Sequence, residues 1–304
     1  MRILLQFPEG LKSKALAEAL TLEKQGHEVF VSSAPCYGAC DIALEEARSV
    51  GAKKIIHYAH AQFGTKKKFG NISVEFREWR VKIEPDALKA VLGKAKDELK
   101  SCGKIALVTT VQHVGQLPEI KSALERMGKK VLIGKGTKAQ YPGQILGCDD
   151  NAAVSVAPKA DCVLYFGGGQ FHPTGIRTEK PVLHVNPYSG EVKWLTDEIK
   201  REEKRELAAL IKASEGKVFG VLVSTKSGQF NLAAGERAKK EIEKKGRRAV
   251  LLVSNEINPM ALANFNIFDA YINTACPRLI EDRERFGKPL VNVARLKELL
   301  ELMQ

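Results

Sequence analysis

The sequence repeats one pattern of apolar and amphipathic segments three times. The three copies cover residues 2–33, 104–136 and 217–254. Each copy opens with a short run rich in Ile, Val and Leu, as expected of a buried parallel strand. A polar turn, an amphipathic helical segment ending at a glycine, and a second apolar run follow. Each copy therefore predicts a βαβ unit, in which a helix connects two parallel strands.

The pattern continues beyond each unit in the same way. A short helical segment leads into a third apolar strand and a polar or glycine-rich loop, within residues 41–61, 149–172 and 259–278. Alternating strands and helices indicate parallel-sheet α/β domains, and so long a repeat suits a triplicated domain better than a solenoid. We therefore expect an α/β fold of three similar small domains arranged about a pseudo-threefold axis. The expected domains are residues 1–85, 86–190 and 191–304.

Composition and charge limit the kinds of partner. The apolar runs are far shorter than the ~20 residues that cross a bilayer, so no membrane partner is expected. The first residues enter a strand without a signal-peptide pattern, which favours a cytoplasmic protein. The net charge of +12 fits either a nucleic-acid or acidic-protein partner or lysine-rich helix surfaces. Because the lysines are interleaved with glutamates, the surface interpretation is favoured and no direct contact with nucleic acid is expected.

Three of the six cysteines fall in loops of the predicted sheets. Cys40 and Cys148 follow the second strand of the first two units, and Cys276 follows the third strand of the last unit. Ligands of such sheets bind beyond the carboxyl ends of the strands. If the units pack about a threefold axis, the three thiolates converge there. Three thiolates can hold zinc with an open fourth position, or an iron–sulfur cluster, and the ligand count alone does not decide between them.

The other three cysteines give weaker signals. Cys162 lies inside an apolar strand, where an inert buried thiol is expected. Cys102 precedes a strand and has no counterpart in the other repeats. Cys36 lies four residues before Cys40, which permits joint ligation of a metal, but the other two units contain no second cysteine nearby.

Several motifs are spread along the chain from residue 8 to residue 279, namely "PEGL", "CYGACD", "HYAH", "GQILGCD", "YFGGGQFHP", "SNEINP" and "FDAYINTACPRL". Together they resemble one enzyme family, that of the 2-(3-amino-3-carboxypropyl)histidine synthases of diphthamide biosynthesis. The resemblance implies three similar domains that each contribute one cysteine to a single 4Fe–4S cluster, and the matching positions are Cys40, Cys148 and Cys276. The sequence differs from the family at "HYAHAQ", where many members have Gly and Ser.

The resemblance also implies an activity and its partners. Members of the family use S-adenosylmethionine (SAM) to transfer a 3-amino-3-carboxypropyl group to C2 of a histidine in translation elongation factor 2, and they release methylthioadenosine. An iron without a protein ligand would bind the methionine part of SAM, and an external electron donor would reduce the cluster. Archaeal members act as homodimers. No catalytic side chain beyond the cluster ligands is expected.

Loops at the same predicted sheet edge supply candidates for a SAM pocket. These loops follow the first strand of each unit or the third strand of the second unit, and the candidates are Glu9, Gln112, His113, Gly167, Gly168 and Gln229. Glycines allow backbone amides to approach a ligand closely. The sequence assigns His57 and His60 a structural or pocket-lining role rather than a metal-binding one.

Two other classes of function remain at this point. A basic α/β protein that contains zinc or a dithiol and binds nucleic acid is the main alternative; it would be colourless and would bind in a salt-sensitive way. A nucleotide-dependent oxidoreductase is disfavoured, because no GxGxxG motif follows any first strand.

Overall fold

The computed structural model describes residues 1–64 and 68–303. The first sheet has the strand order β2-β1-β3-β5-β4, in which β4 is antiparallel to β5 and the other pairs are parallel. Its strands are β1 (Arg2–Gln6), β2 (Glu28–Val31), β3 (Lys54–Ala59), β4 (Lys68–Phe69) and β5 (Ile72–Glu78). Helices α1 (Ala15–Glu23) and α2 (Leu44–Ser49) provide its crossover connections, and a 3-10 segment, Glu9–Lys14, precedes α1.

The second sheet has the order β10-β9-β8-β6-β7, with β10 antiparallel to β9 and the other pairs parallel. Its strands are β6 (Lys104–Thr109), β7 (Lys130–Leu132), β8 (Cys162–Phe166), β9 (Val182–Val185) and β10 (Val192–Trp194). Its helices are α3 (Pro85–Glu98), α4 (Leu117–Arg126) and α5 (Asn151–Val154). The apolar side chains of α3 recur at helical spacing and lie in the core of this sheet.

The third sheet has four parallel strands in the order β12-β11-β13-β14. They are β11 (Val218–Ser224), β12 (Arg248–Ser254), β13 (Ala270–Asn273) and β14 (Leu290–Asn292). The accompanying helices are α6 (Thr196–Ser214), α7 (Leu232–Lys244), α8 (Pro259–Leu262) and α9 (Leu296–Leu302). Apolar residues of α6, α7 and α9 form one core with the strands.

The four parallel strands of each sheet share one spatial order, which by position in the chain is second, first, third, fourth. This shared order confirms the predicted α/β fold with a repeated parallel sheet. Short antiparallel edge strands, β4 and β10, extend the first two sheets. The chain divides into two compact units, Met1–Asp197 and Glu198–Gln304, of which the first contains two sheets. The domain limits expected from the sequence stay a prediction.

Burial follows the layer arrangement expected of such sheets. Every residue of β8 is buried, because helices or loops cover both faces of a central parallel strand. Cys162 of this strand is fully buried, and burial raises the pKa of its thiol, as expected of an inert core cysteine. Within the described part of the chain, no helix combines the length and apolar character needed to span a bilayer.

Candidate functional site

Cys40 lies in a tight turn between β2 and α2. The amide of Asp41 donates a hydrogen bond of 2.9 Å to the carbonyl oxygen of Gly38, which closes a four-residue turn with Cys40 in its third position. Asp41 is almost fully buried, and its carboxylate accepts a hydrogen bond from the amide of Tyr37. Cys40 is a free cysteine and is partly exposed. Hydrogen bonds before and after Cys40 therefore fix the backbone that carries its thiol.

Gln6, at the end of β1, anchors this loop to the sheet. Its Nε2 donates to the carbonyl oxygen of Asp41 at 2.6 Å, and its Oε1 accepts from the amide of Ala43 at 3.1 Å. The same Oε1 lies 2.9 Å from Nδ1 of His57. Because the register of β1 and β3 pairs Gln6 with His57, one buried amide joins the Cys40 loop to the neighbouring strand.

Cys148 occupies an equivalent turn in the second sheet. Backbone hydrogen bonds in both directions link Leu146 and Asp149, at 2.9 and 3.2 Å, and Cys148 again has the third position. The loop is also paired with the end of β6, since Thr109 exchanges backbone hydrogen bonds with Gly143 and Ile145. Cys148 is partly exposed, as Cys40 is in the first sheet.

The carboxylate of Asp149 holds the loop before Cys148. It accepts hydrogen bonds from the amides of Lys138 and Ala139 and from the hydroxyl of Thr137. Burial alone would raise the pKa of Asp149, but these backbone donors outweigh it and hold the pKa below its usual value. The side chain is therefore ionised, and its hydrogen bonds hold residues 137–139 next to the Cys148 turn.

Cys276 precedes the 3-10 segment Pro277–Phe286 in the third sheet. Asn273, at the end of β13, donates to the carbonyl oxygen of Cys276 at 2.8 Å and to Oδ1 of Asn292 at 2.7 Å. Asn292 in turn donates to the carbonyl oxygen of Pro277. Cys276 is also partly exposed. Two asparagines at the carboxyl ends of adjacent strands thus fix this cysteine.

The loop positions of the three predicted ligands agree with the sequence analysis. Each follows the carboxyl end of a parallel strand and is partly exposed, whereas Cys36, Cys102 and Cys162 are buried. Cys40 and Cys148 belong to the first compact unit and Cys276 to the second. The convergence of all three on one cluster stays a prediction.

The second sheet brings several of the predicted pocket residues together around Tyr188. The Tyr188 hydroxyl lies 2.9 Å from Nε2 of His113, and the His113 ring packs edge-on against Phe166. A Cβ placed on Gly168 would lie 3.1 Å from the Tyr188 ring. His113 is almost fully buried, and burial lowers its pKa below the ordinary histidine value. At neutral pH the buried imidazole is therefore neutral, and the Tyr188 phenol and the glycine backbone lie beside it at this edge of the sheet.

Gly167 requires the absence of a side chain. Its φ is 156°, and an added Cβ would lie 2.7 Å from the hydroxyl oxygen of buried Tyr165. Its amide donates to the carbonyl oxygen of Val185, and its own carbonyl oxygen lies 2.8 Å from Nε2 of His184. Neighbouring strands therefore hold the glycine backbone in place.

The remaining pocket candidates lie where the sequence placed them, after the first strands. Glu9 begins the 3-10 segment after β1 and forms an ion pair of 2.8 Å with Lys12. Gln112 follows β6, and its carbonyl oxygen accepts from the amide of Val81. Gln229 lies in the turn after β11, within the second compact unit.

A cluster of nitrogen and sulfur atoms beside the Cys40 loop was not predicted. One potential ligand atom from each of Cys36, His57 and His60 lies within 4.8 Å of the other two. His57 Nε2 is 2.9 Å from His60 Nδ1. Burial lowers the pKa of both histidines, that of His60 to about 4, and burial together with the charge of Asp41 raises the pKa of Cys36 to about 12. In the sequence, the spacing C-x₃-C of Cys36 and Cys40 and the spacing H-x₂-H of His57 and His60 could have indicated this cluster.

Comparison with known proteins gives a consistent result. The model of the diphthamide synthesis protein family matches residues 7–303. The 2-(3-amino-3-carboxypropyl)histidine synthase of Pyrococcus horikoshii is 38% identical over 308 residues, which cover 100% of this chain and 86% of the relative. Subunit 1 of the synthase of Caenorhabditis elegans is 28% identical over 295 residues, which cover 95% of this chain and 73% of the relative.

Solved structures show the same similarity. The crystal structure of Dph2 from Pyrococcus horikoshii with a 4Fe-4S cluster has a TM-score of 0.87 and 36% identity, and the match covers 99% of this chain and 86% of that chain. A second crystal structure of the same protein also has a TM-score of 0.87 and 36% identity, over 100% and 87% of the two chains.

Proposed function

We propose, because this chain belongs to the diphthamide synthesis protein family, that it transfers a 3-amino-3-carboxypropyl group from SAM to C2 of a histidine in translation elongation factor 2. The family resemblance drawn from the motifs is thereby confirmed. The prediction of an enzyme of diphthamide synthesis is confirmed too, since the curated relatives carry that enzyme's name. In the proposed reaction a sulfonium carbon–sulfur bond breaks, a carbon–carbon bond forms at C2, and C2 loses a proton. Methylthioadenosine is the other product, and the net transfer is redox-neutral.

The observation that carries this proposal is the matched placement of Cys40 and Cys148. Both thiols occupy the third position of a closed turn at the carboxyl end of a sheet, in a chain similar to a protein crystallised with a 4Fe-4S cluster. Cysteine thiolates are the usual ligands of iron–sulfur clusters, and both cysteines are free and partly exposed. We propose that Cys40, Cys148 and Cys276 hold the cluster. When bound, it would offer SAM an iron without a protein ligand and supply the electron that starts carbon–sulfur cleavage.

The chain's own contribution is to bind and orient SAM. We assign this role to Glu9, Gln112, His113, Gly167, Gly168 and Gln229. The second sheet supports it best, because rigid glycine backbone lies beside a buried neutral His113 and a phenol. Such a surface can approach an adenosyl or carboxylate group closely without placing a second cation next to the sulfonium.

The proposed partners are elongation factor 2, an external electron donor and a second copy of the chain, all in the cytoplasm. The edge strand β12 supports the homodimer, because Val250 and Val253 are 46% and 58% exposed on it. Exposed edge strands with apolar side chains are usually covered by a partner. The excess of 48 basic over 36 acidic residues suits docking on an acidic protein surface.

The test begins with anaerobic reconstitution with iron and sulfide. We expect the wild type to hold one 4Fe–4S cluster, and we expect Cys40→Ala, Cys148→Ala and Cys276→Ala each to lose most of its iron. Cys102→Ala, a buried thiol elsewhere in the fold, is the matched control and keeps it. With dithionite, SAM labelled in its methionine carbon chain and elongation factor 2, the label should enter the protein and methylthioadenosine should appear. A chain that stays colourless, or one that forms mainly 5′-deoxyadenosine, would refute the proposal.

A further inference from the structure

We propose that Cys36, His57 and His60 form a second metal site, which binds one zinc ion through one sulfur and two nitrogen atoms and leaves a fourth position open. One potential ligand atom of each residue lies within 4.8 Å of the other two. Cys36 is 5% exposed and His57 is fully buried. The site goes beyond the proposed transferase activity, because none of these residues is among the proposed cluster ligands.

The hydrogen bonds of Gln6 determine the tautomer of His57. The side-chain nitrogen of Gln6 donates to the carbonyl oxygen of Asp41, so the atom facing His57 is the acceptor oxygen Oε1. His57 must therefore carry its proton on Nδ1, and the lone pair of its Nε2 faces His60. Metal-bound histidines usually donate their other ring N–H to such an acceptor, which orients the ring and strengthens the donor atom.

His60 completes the nitrogen pair. Its Nδ1 lies 2.9 Å from Nε2 of His57, so one proton is shared between the two atoms. In tetrahedral zinc sites, with Zn–N distances of about 2.0–2.1 Å, two nitrogen ligands lie about 3.3 Å apart. A metal ion that replaces the shared proton therefore requires the rings to separate by only about 0.4 Å. The proton displaced from His60 Nδ1 moves to its Nε2.

The backbone between the two histidines is strained in a way that brings the rings together. Ala59 has φ = 73°, and it is the one non-glycine residue with positive φ in the described ranges 1–64 and 68–303. This conformation costs an L-residue roughly 1–2 kcal/mol. Such strain persists where the surroundings fix it, and it concentrates at functional sites. Here the left-handed residue ends β3 and turns His60 back towards His57.

The chemical nature of the three ligand atoms indicates which metal the site binds. One thiolate and two imidazoles suit zinc better than magnesium or calcium, which prefer oxygen ligands. On binding, the Cys36 thiol loses its proton to solvent and the thiolate becomes a ligand, so one proton is released per zinc ion. The ion would also fix Cys36 within the loop that carries Cys40.

Elemental analysis of the full-length protein with its cluster reconstituted tests the proposal. After incubation with zinc chloride and desalting, we expect about one zinc ion per chain in the wild type. Cys36→Ser and His60→Gln should reduce zinc at least about tenfold, whereas the controls Cys102→Ser and His27→Gln should retain it. Cys148→Ala should lose iron yet keep zinc, so failure of this site and failure of the proposed cluster are distinguishable. Zinc retained by Cys36→Ser and His60→Gln, or absent from the wild type, overturns the proposal.

X-ray absorption at the zinc edge of the wild type gives a test that does not depend on the folding of a variant. We expect a shell with one sulfur at about 2.3 Å and nitrogen or oxygen at about 2.0–2.1 Å. A shell dominated by three or four sulfur atoms would place zinc on the loop cysteines instead, and would overturn the proposal.

Discussion

Cys40 and Cys148 occupy the third position of two four-residue turns, each closed by the amide of an aspartate, in two different sheets. Both aspartates are almost fully buried. The carboxylate of Asp41 accepts from the amide of Tyr37, and that of Asp149 accepts from the amides of Lys138 and Ala139. The two loops differ in length and sequence, yet they share the turn, the cysteine and the aspartate. We infer that the two aspartates fix the backbone of the loops that carry the thiols.

We expect Asp149→Ala to lower both stability and iron content. The substitution leaves the amides of Lys138 and Ala139 without their acceptor, and an unsatisfied buried donor such as the Ala139 amide costs about 1–3 kcal/mol. Asp161→Ala is the matched control, because Asp161 also accepts two backbone amides, but at the amino end of β6. Urea unfolding and iron analysis should show reduced stability in both variants and reduced iron only in Asp149→Ala. Full iron occupancy in Asp149→Ala would contradict the inference that Asp149 fixes the loop that carries Cys148.

The repeated sheet could be predicted because its signal is local. Runs of Val, Ile and Leu, separated by helical periodicity and glycines, mark each βαβ unit without reference to any distant residue. The antiparallel edge strands β4 and β10 were not predicted, since two- and three-residue strands carry too little pattern. The loops that hold Cys40, Cys148 and Cys276 followed directly from the strand positions.

The groups around these loops could not be predicted, because they depend on register between distant segments. Gln6 contacts His57 only because β1 and β3 pair in one particular register, across 51 residues of sequence. His113 and Tyr188 are 75 residues apart and meet at the ends of different strands. No local periodicity carries this information.

Ala59 gives a direct test of backbone strain at the histidine pair. We expect Ala59→Gly to raise the free energy of unfolding by up to about 1 kcal/mol, because glycine adopts positive φ without a steric penalty. Ala61→Gly, a buried position near His60 without positive φ, should be neutral or destabilising. Thermal unfolding of the metal-free proteins measures both. A destabilised Ala59→Gly variant would mean that Ala59 is not strained.

Gly167 should tolerate no side chain. We expect Gly167→Ala to destabilise the protein by about 1–3 kcal/mol, because the new methyl group meets the hydroxyl of the buried Tyr165 at 2.7 Å. Gly93→Ala, on an exposed face of α3 with open space around it, should instead stabilise by roughly 0.5–1 kcal/mol. Urea titration of both variants provides the comparison. Equal stability of Gly167→Ala and the wild type would show that the loop can move.

His113 should contribute to the pH dependence of stability. Its pKa is lowered mainly by burial, so between that value and about 6.5 the unfolded chain binds more protons than the folded one. The contribution of His113 to the free energy of unfolding is fully present above about pH 6.5, and it is lost as the pH falls towards the lowered pKa. Urea unfolding between about pH 5 and pH 8 should show stability rising with pH, and His113→Gln should flatten the slope. His57 and His60 act in the same direction, so some slope should remain. An unchanged slope in His113→Gln would contradict the prediction.

The exposed edge strand β12 is the expected interface of the proposed homodimer. We expect Val253→Lys to weaken self-association at least about tenfold, or about 1.4 kcal/mol, because a lysine charge would be buried between copies. Leu207→Lys, at a similarly exposed apolar position on α6, is the matched control. Light scattering coupled to size-exclusion chromatography should show Val253→Lys shifted towards the 33.5 kDa chain, with Leu207→Lys unchanged. If the wild type is itself a monomer, the homodimer proposal fails. If both variants remain dimers, the interface lies away from β12.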